Sequence, residues 1–179
     1  MIEETIKGIM NRLQGYLSLQ PGGNVTWGDI AQHESSEGSD LLDKIIITLV
    51  NVEEENTLKN NYPVRIQNNI AVSEKPVLFL NLYLLFSAKY SNYDEALKHL
   101  GLVILFFQAN NRLAIGTPNI EVICSLHNIG FENLNNLWTV LGGKYMPSVI
   151  YKVRTLAFQA APPVGGPAIV EISESEKPN

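Results

Sequence analysis

The segment Lys75–Lys89, KPVLFLNLYLLFSAK, constrains this chain more than any other stretch. From Val77 to Phe86 ten consecutive residues are apolar or nearly so, interrupted only by Asn81. Read with the two-residue period of a strand, one face carries Leu78, Leu80, Leu82, Leu84 and Phe86, and the other Val77, Phe79, Asn81, Tyr83 and Leu85. A strand that is apolar on both faces has to be covered on both. A chain of 179 residues covers one face with its own helices, and the second cover is expected from another subunit. The segment therefore points to assembly before it points to chemistry.

Composition bears on the same question. Charged residues make up 17% of the chain, below the roughly 25% usual for soluble domains, which fits a surface partly buried against partners. Hydrophobic content of 45% supports a sizeable core, and the length predicts one domain. A net charge of −5 argues against a nucleic-acid binder, because neutralising phosphates takes clustered Lys and Arg. The single cysteine, Cys124, rules out an internal disulfide and suits a reducing compartment. The first residues, MIEETIKGIMNRLQGYL, lack the continuous apolar core of a signal peptide, and the runs Val77–Phe86 and Leu100–Phe107 are too short to span a membrane. A soluble protein made in the cytoplasm is expected.

Helical spacing of Ile2, Ile6, Ile9, Met10, Leu13, Tyr16 and Leu17 predicts an amphipathic helix over 2–18, stopped by Gln20-Pro21-Gly22-Gly23. A polar loop is expected from there to Asp40, with one aromatic, Trp27, placed to anchor a partner or to pack on its own domain. Leu41–Glu54 reads as a strand ending in a solvated charge run, Glu53 to Glu55. Residues 60–71 read as turn-like, with a short extended piece at Val64–Ile66, before the two-faced strand Val77–Ala88. Asn92 followed by Glu95 marks a helix start, and the helix Asp94–Asn110 is apolar almost all round in its second half, as in a helix buried on more than one side. A strand is predicted at Glu121–His127, a helix at Phe131–Leu141 closed by Gly142-Gly143, and a strand at Pro147–Gln159. In that last strand Lys152 and Arg154 suggest a face bordering water or a partner. Residues 161–179 read as a Pro/Gly-rich, then acidic tail after a domain of residues 1–160, with a β-prone patch at Ala168–Ile172. The order predicts an α+β fold: a single domain with a mixed, mainly antiparallel sheet flanked by helices.

No constellation for chemistry stands out. His33, His99 and His127 are not at metal-ligand spacing with other donors, and His99 is read as a solvated side chain on the polar side of its helix. Cys124 and His127 are three apart on a strand and point to opposite faces, so Cys124 reads as a core residue. The Gly-Gly pairs lack phosphate-loop spacing, and the Glu53–Glu55 run lacks that of a calcium loop. No catalytic residue, cofactor or metal is assigned.

The strand KPVLFLNLYLLFSAKY, the helix SNYDEALKHLGLVILFFQAN and the segment FENLNNLWTVLGGKYMPSVIYKVRTLAF together resemble the cap, or tail-terminator, proteins of extracellular contractile injection systems. These are the phage-tail-like particles of the antifeeding-prophage and Photorhabdus-virulence-cassette type. The resemblance covers roughly residues 3–160 and rests on length and order, because neither of its most specific segments is a catalytic signature. It implies a phage tail-terminator-like fold and a structural, non-enzymatic role. In that role a homo-oligomeric ring, a hexamer, sits on the distal end of the inner tube and sheath and stops their polymerisation. The implied partners are further copies of the chain, the inner tube protein, the sheath protein, and a cap paralogue or tape-measure protein. The implied location is one end of a particle, released or envelope-anchored, assembled from subunits made in the bacterial cytoplasm. Contact elements carried over from it are the helix start at Asp94 and Glu95, the helix with Leu134 and Trp138, and the strand with Lys152 and Arg154; Trp27 joins them from its own position. Two alternatives stay open: a baseplate, adaptor or membrane-docking component of such a particle, and a small-ligand α+β enzyme with a site around Cys124, His127 and Trp138.

Overall fold

The structure, a computed structural model, describes residues 2–32, 41–55, 64–67, 70–73, 78–116, 120–142, 144–158 and 164–167. The chain divides into two compact units, Met1–Glu53 with Leu80–Leu156, and Glu54–Phe79 with Ala157–Asn179. Described elements follow in the order α1 (Ile2–Leu17), β1 (Val25–Trp27), a 3-10 turn (Ile30–Gln32), β2 (Lys44–Glu54), β3 (Val64–Gln67), β4 (Ile70–Ser73), β5 (Leu78–Lys89), α2 (Tyr93–Ala109), β6 (Arg112–Ile115), β7 (Ile120–His127), α3 (Phe131–Val140), β8 (Ser148–Phe158) and β9 (Val164–Pro167).

The larger unit is built on a six-stranded mixed sheet in the order β1-β2-β5-β8-β7-β6, so the two-faced strand β5 lies inside it. Strand β1 runs parallel to β2, while β6, β7 and β8 pair antiparallel, with Cys124 opposite Val153 and His127 opposite Ile150. The alternation of side chains along the strands divides the interior cleanly. Ile45, Ile47, Leu82, Leu84, Phe86, Val122, Cys124, Tyr151 and Val153 face one layer, with Ile6, Ile9, Leu13 and Leu17 of α1 and Val103, Phe106 and Phe107 of α2. Its centre is aromatic: Phe107 lies 5.2 Å from Phe86 and 4.3 Å from Tyr151, centroid to centroid. The opposite face, Ile46, Leu85 and Ile150, is covered by Ile30 of the 3-10 turn and by Trp138, Leu134 and Leu137 of α3. Phe86 and Leu85, adjacent on β5 and pointing oppositely, are both fully buried. Both faces of the strand are thus covered within the chain, and the expected second cover from another subunit is not needed there. Burying one such side chain is worth about 1.5–3 kcal/mol, which is why α3 folds back over the sheet.

Helix α2 differs from its expectation in the same direction. Its buried residues lie on one side, whereas Leu97 and Leu105 on the other are 46% and 56% exposed. Its start is as expected: Asn92 is the N-cap, with Oδ1 accepting from the Asp94 amide at 2.9 Å. Gly142, at φ 108°, takes the left-handed conformation that stops α3.

The polar loop expected after α1 is structured at its start. Gln14 holds the chain there, its Nε2 donating to the Gly23 carbonyl at 3.0 Å and its Oε1 accepting from the Val25 amide at 2.7 Å. Gly23 is required at this turn, because a Cβ would collide with the Leu17 carbonyl. His33 and the rest of residues 33–40 lie outside the described residues.

The smaller unit holds a three-stranded antiparallel sheet in the order β3-β4-β9. In the stretch 60–71, read from sequence as turn-like with a short extended piece at Val64–Ile66, β3 is that extended piece and pairs with β4, and β9 comes from the stretch read as a tail, with Ile70 opposite Pro167. The compact units therefore do not divide at residue 160, and Ala168–Ile172 lies outside the described residues. Glu55 is 6% exposed and its amide donates to the Phe79 carbonyl at 2.8 Å, so the charge run after β2 is not wholly solvated.

Candidate interaction surfaces

Trp27, expected in a loop, is the last residue of β1 and pairs in register with Ile47. A sheet-edge strand presents it at 43% exposure, with the Lys7 ammonium of α1 5.5 Å from its ring centroid. Asp94 and Glu95 occupy the first turn of α2, where carboxylates favour the helix dipole. Asp94 is exposed; Glu95 is half-buried and pairs with Lys98 at 3.3 Å. Leu134 and Trp138 come together on the inner side of α3, Leu134 half-buried and Trp138 buried. Lys152 and Arg154 lie half-buried on β8, opposite Ser125 and Ile123 of β7. Of the seven nominated residues, the structure joins those neighbouring in sequence and otherwise distributes them over the larger unit.

The residues of the enzymatic alternative are separated. Cys124 is buried in the layer under α1 and α2, and burial alone pushes its thiol up to about 12. His127 faces the other side, edge-on to Tyr83 at 4.8 Å, beside a cleft of about 440 Å³ that includes Glu53, Asn133 and Leu137. A thiolate nucleophile with a histidine base needs both groups on one face and a lowered thiol pKa, and neither condition is met. Among the described residues, no three His, Cys, Asp or Glu gather to hold a metal ion, and no helix is long and apolar enough to cross a membrane.

His99 corrects its sequence reading. The ring is fully buried, stacked on Tyr90 at 4.6 Å and 7°, and Nδ1 donates to the Glu95 carbonyl at 2.8 Å. Tyr90 in turn donates to the Gly22 carbonyl at 3.1 Å, and burial pushes its phenol up to about 12. The pair closes the end of the core between the turn after α1 and the start of α2. Its histidine looks polar in sequence because the tyrosine that covers it precedes the helix, outside the helical period.

Sequence reasoning did not single out the exposed aromatics at the start of α3, in the segment after it and at the start of α2. Phe131 is 91% exposed, Tyr145 64% and Tyr93 63%. Tyr145 stands edge-on to Trp138 at 5.9 Å and lines two clefts at once. One, about 740 Å³, has a lining that includes Leu42, Lys89, Tyr90, Tyr93, Lys144 and Tyr145; the other, about 340 Å³, is lined by Phe131, Leu134, Asn135, Trp138, Thr139 and Tyr145. The available signal was Phe131 itself, an aromatic at a helix start and off the 134/137/138/141 stripe.

The fold is similar to that of solved assemblies. The sheath/tube terminator of the PVC extracellular contractile injection system, in the extended state, matches with a TM-score of 0.63 and 15% identity over 100% of this chain and 64% of its own. The tube-terminating cap of the anti-feeding prophage matches with a TM-score of 0.64 and 11% identity over 96% of this chain and 60% of its own. The chain thus spans under two thirds of the length of either structure. No curated protein sequence matches it. At the level of sequence, residues 2–171 match the Pvc16 N-terminal domain. An α+β chain matched over nearly its whole length belongs to that family: it is a member of the Pvc16 N-terminal domain family.

Proposed function

We propose that this chain is a structural cap of an extracellular contractile injection particle, associating with its tube and sheath, and that it acts without catalysis. The observation that carries the reading is the family match over residues 2–171, together with the terminator fold over the same stretch. In the fuller form of the proposal, copies of the chain form a ring of six on the distal end of the inner tube and sheath and stop their polymerisation. The unpartnered apolar side of α2, with Leu97 and Leu105 exposed, supports a subunit that buries surface in an assembly.

The test is deletion of the gene followed by imaging of the particles, with the mass of the purified chain measured in parallel. Particles of uncontrolled length, or sheath and tube that fail to stay together, are the expected result, with a six-membered ring in solution or on the particle end. Unchanged particle length and stability would remove the terminator role.

A further inference from the structure

The cleft beside His127 lies on the face of the sheet that α3 covers, and its floor and rim differ in chemistry. Its floor is apolar, with Val50 of β2, Ile150 of β8, Leu137 of α3 and Ile129 ahead of that helix. Its rim carries one carboxylate, that of Glu53. Two neutral donors fix this group in place: the Tyr83 hydroxyl donates to Oε2 at 2.7 Å and Asn51 Nδ2 donates to Oε1 at 3.0 Å. Each oxygen keeps a further lone pair, and among the described residues no cation matches the charge. Further along the rim the His127 ring stands edge-on to Tyr83, and Asn133 occupies an exposed position of α3. A neutral imidazole and a carboxamide each offer one more acceptor. Any occupant that covers the apolar floor also removes water from this rim, and a carboxylate dried without a cation is strongly disfavoured.

We propose that this cleft is a recognition site for one basic side chain, lysine or arginine, presented by a partner protein. The aliphatic stem lies along Val50, Ile129, Leu137 and Ile150, and the cationic head meets Glu53, with His127 and Asn133 as further acceptors for its N–H groups. Long basic side chains suit such a site because their stems bury along apolar surface while the head stays at a polar rim. A neutral apolar side chain fits the floor but leaves Glu53 dried and unmatched, and an acidic one adds a like charge. A free diamine brings two cations to a rim with one carboxylate, whereas a side chain brings one and is already held by its own backbone. The volume, about 440 Å³, falls within the range of about 300–1,000 Å³ usual for small-ligand pockets. The proposal does not depend on the terminator role.

The test is selection of a displayed library of random peptides against the intact purified chain. Enriched sequences are expected to share a Lys or Arg. The enriched peptide, labelled, is titrated against the parent chain, where the His127 ring protons are expected to shift in the nuclear magnetic resonance spectrum. Replacing its basic residue with norleucine, which keeps an aliphatic stem and removes the charge, is expected to weaken binding by about tenfold, equivalent to roughly 1.4 kcal/mol. That comparison is read on the parent chain, so it does not depend on any variant folding. Glu53→Gln, which removes the charge, and Asn133→Lys, which brings a competing ammonium to the rim, are each expected to weaken binding by a similar factor, at two exposed positions. No enrichment, enriched sequences without a basic residue, an unmoved His127 ring, or affinity indifferent to norleucine or to either variant would each overturn the proposal. Displacement of the peptide by cadaverine or pentylamine at concentrations below the peptide's own Kd would overturn it in favour of a free amine. Self-association abolished by Glu53→Gln, with no peptide enriched, would overturn it in favour of a contact between copies of the chain.

Discussion

The two faces of the six-stranded sheet are built to different standards. One is sealed by two long helices, sixteen and seventeen residues, over a layer that includes Phe86, Phe107 and Tyr151. The other is covered by a three-residue 3-10 turn and a ten-residue helix over Ile46, Leu85 and Ile150. Among the described residues, clefts at His127 and at Tyr145 lie beside α3. A full helical layer gives the unit its stability, and a partial layer leaves side chains at the surface with fixed positions.

The sharpest way to break this comparison is to open a cavity in each layer. Phe86→Ala in the sealed layer is expected to cost about 3–5 kcal/mol, read as a fall in the urea unfolding midpoint without a change in slope. Trp138→Ala on the partial layer is expected toward the lower end of that range, about 3 kcal/mol, because a short helix at the surface can settle into the space. Equal losses at both positions would mean that α3 is as firmly built in as α1 and α2.

Alkaline pH separates the faces without mutation. Cys124 and Tyr90, with thiol and phenol raised from 9.0 and 10.0 to about 12, hold their protons in the folded state above the pH at which the unfolded chain loses them. Their contribution is complete below about pH 9 and is lost as pH rises toward 12, so stability should fall over that window. Cys124→Ala should flatten the fall, measured as melting temperature against pH; an unchanged slope would show that the thiol is not held protonated by burial. The smallest expected effect is at the cap of α2. Asn92→Ala removes the acceptor for the Asp94 amide and should cost about 1 kcal/mol by the same urea titration.

Much of this architecture is legible in the residues, for a physical reason. Long elements repeat their period often enough to declare themselves: α1, α2, α3 and the strands β2, β5, β7 and β8 lie within a few residues of where Ile6/Ile9/Leu13, Leu82/Leu84/Phe86 and Val122/Cys124 place them. Strands of three or four residues, β1, β3, β4, β6 and β9, are too short to repeat a period, even where β6 alternates and Val64–Ile66 of β3 reads as extended, and they exist because a neighbour supplies the other half of their hydrogen bonds. The same limit applies at the surface. Leu134 and Trp138 were legible as one helical stripe, but Tyr145 meets Trp138 only through the turn at Gly142.

The sequence by itself determined that β5 is buried on both faces, that Cys124 and His127 point apart, and that α2 begins at Asn92, because each follows from covalent period or local hydrogen bonding. Tertiary structure alone decided what covers the second face of β5, that His99 is sealed under Tyr90, and that Tyr145 lines two clefts, one with Lys144 and one with Phe131. Those outcomes depend on residues brought together by the chain's return path, and the energy of a contact does not record how far apart its partners lie in sequence.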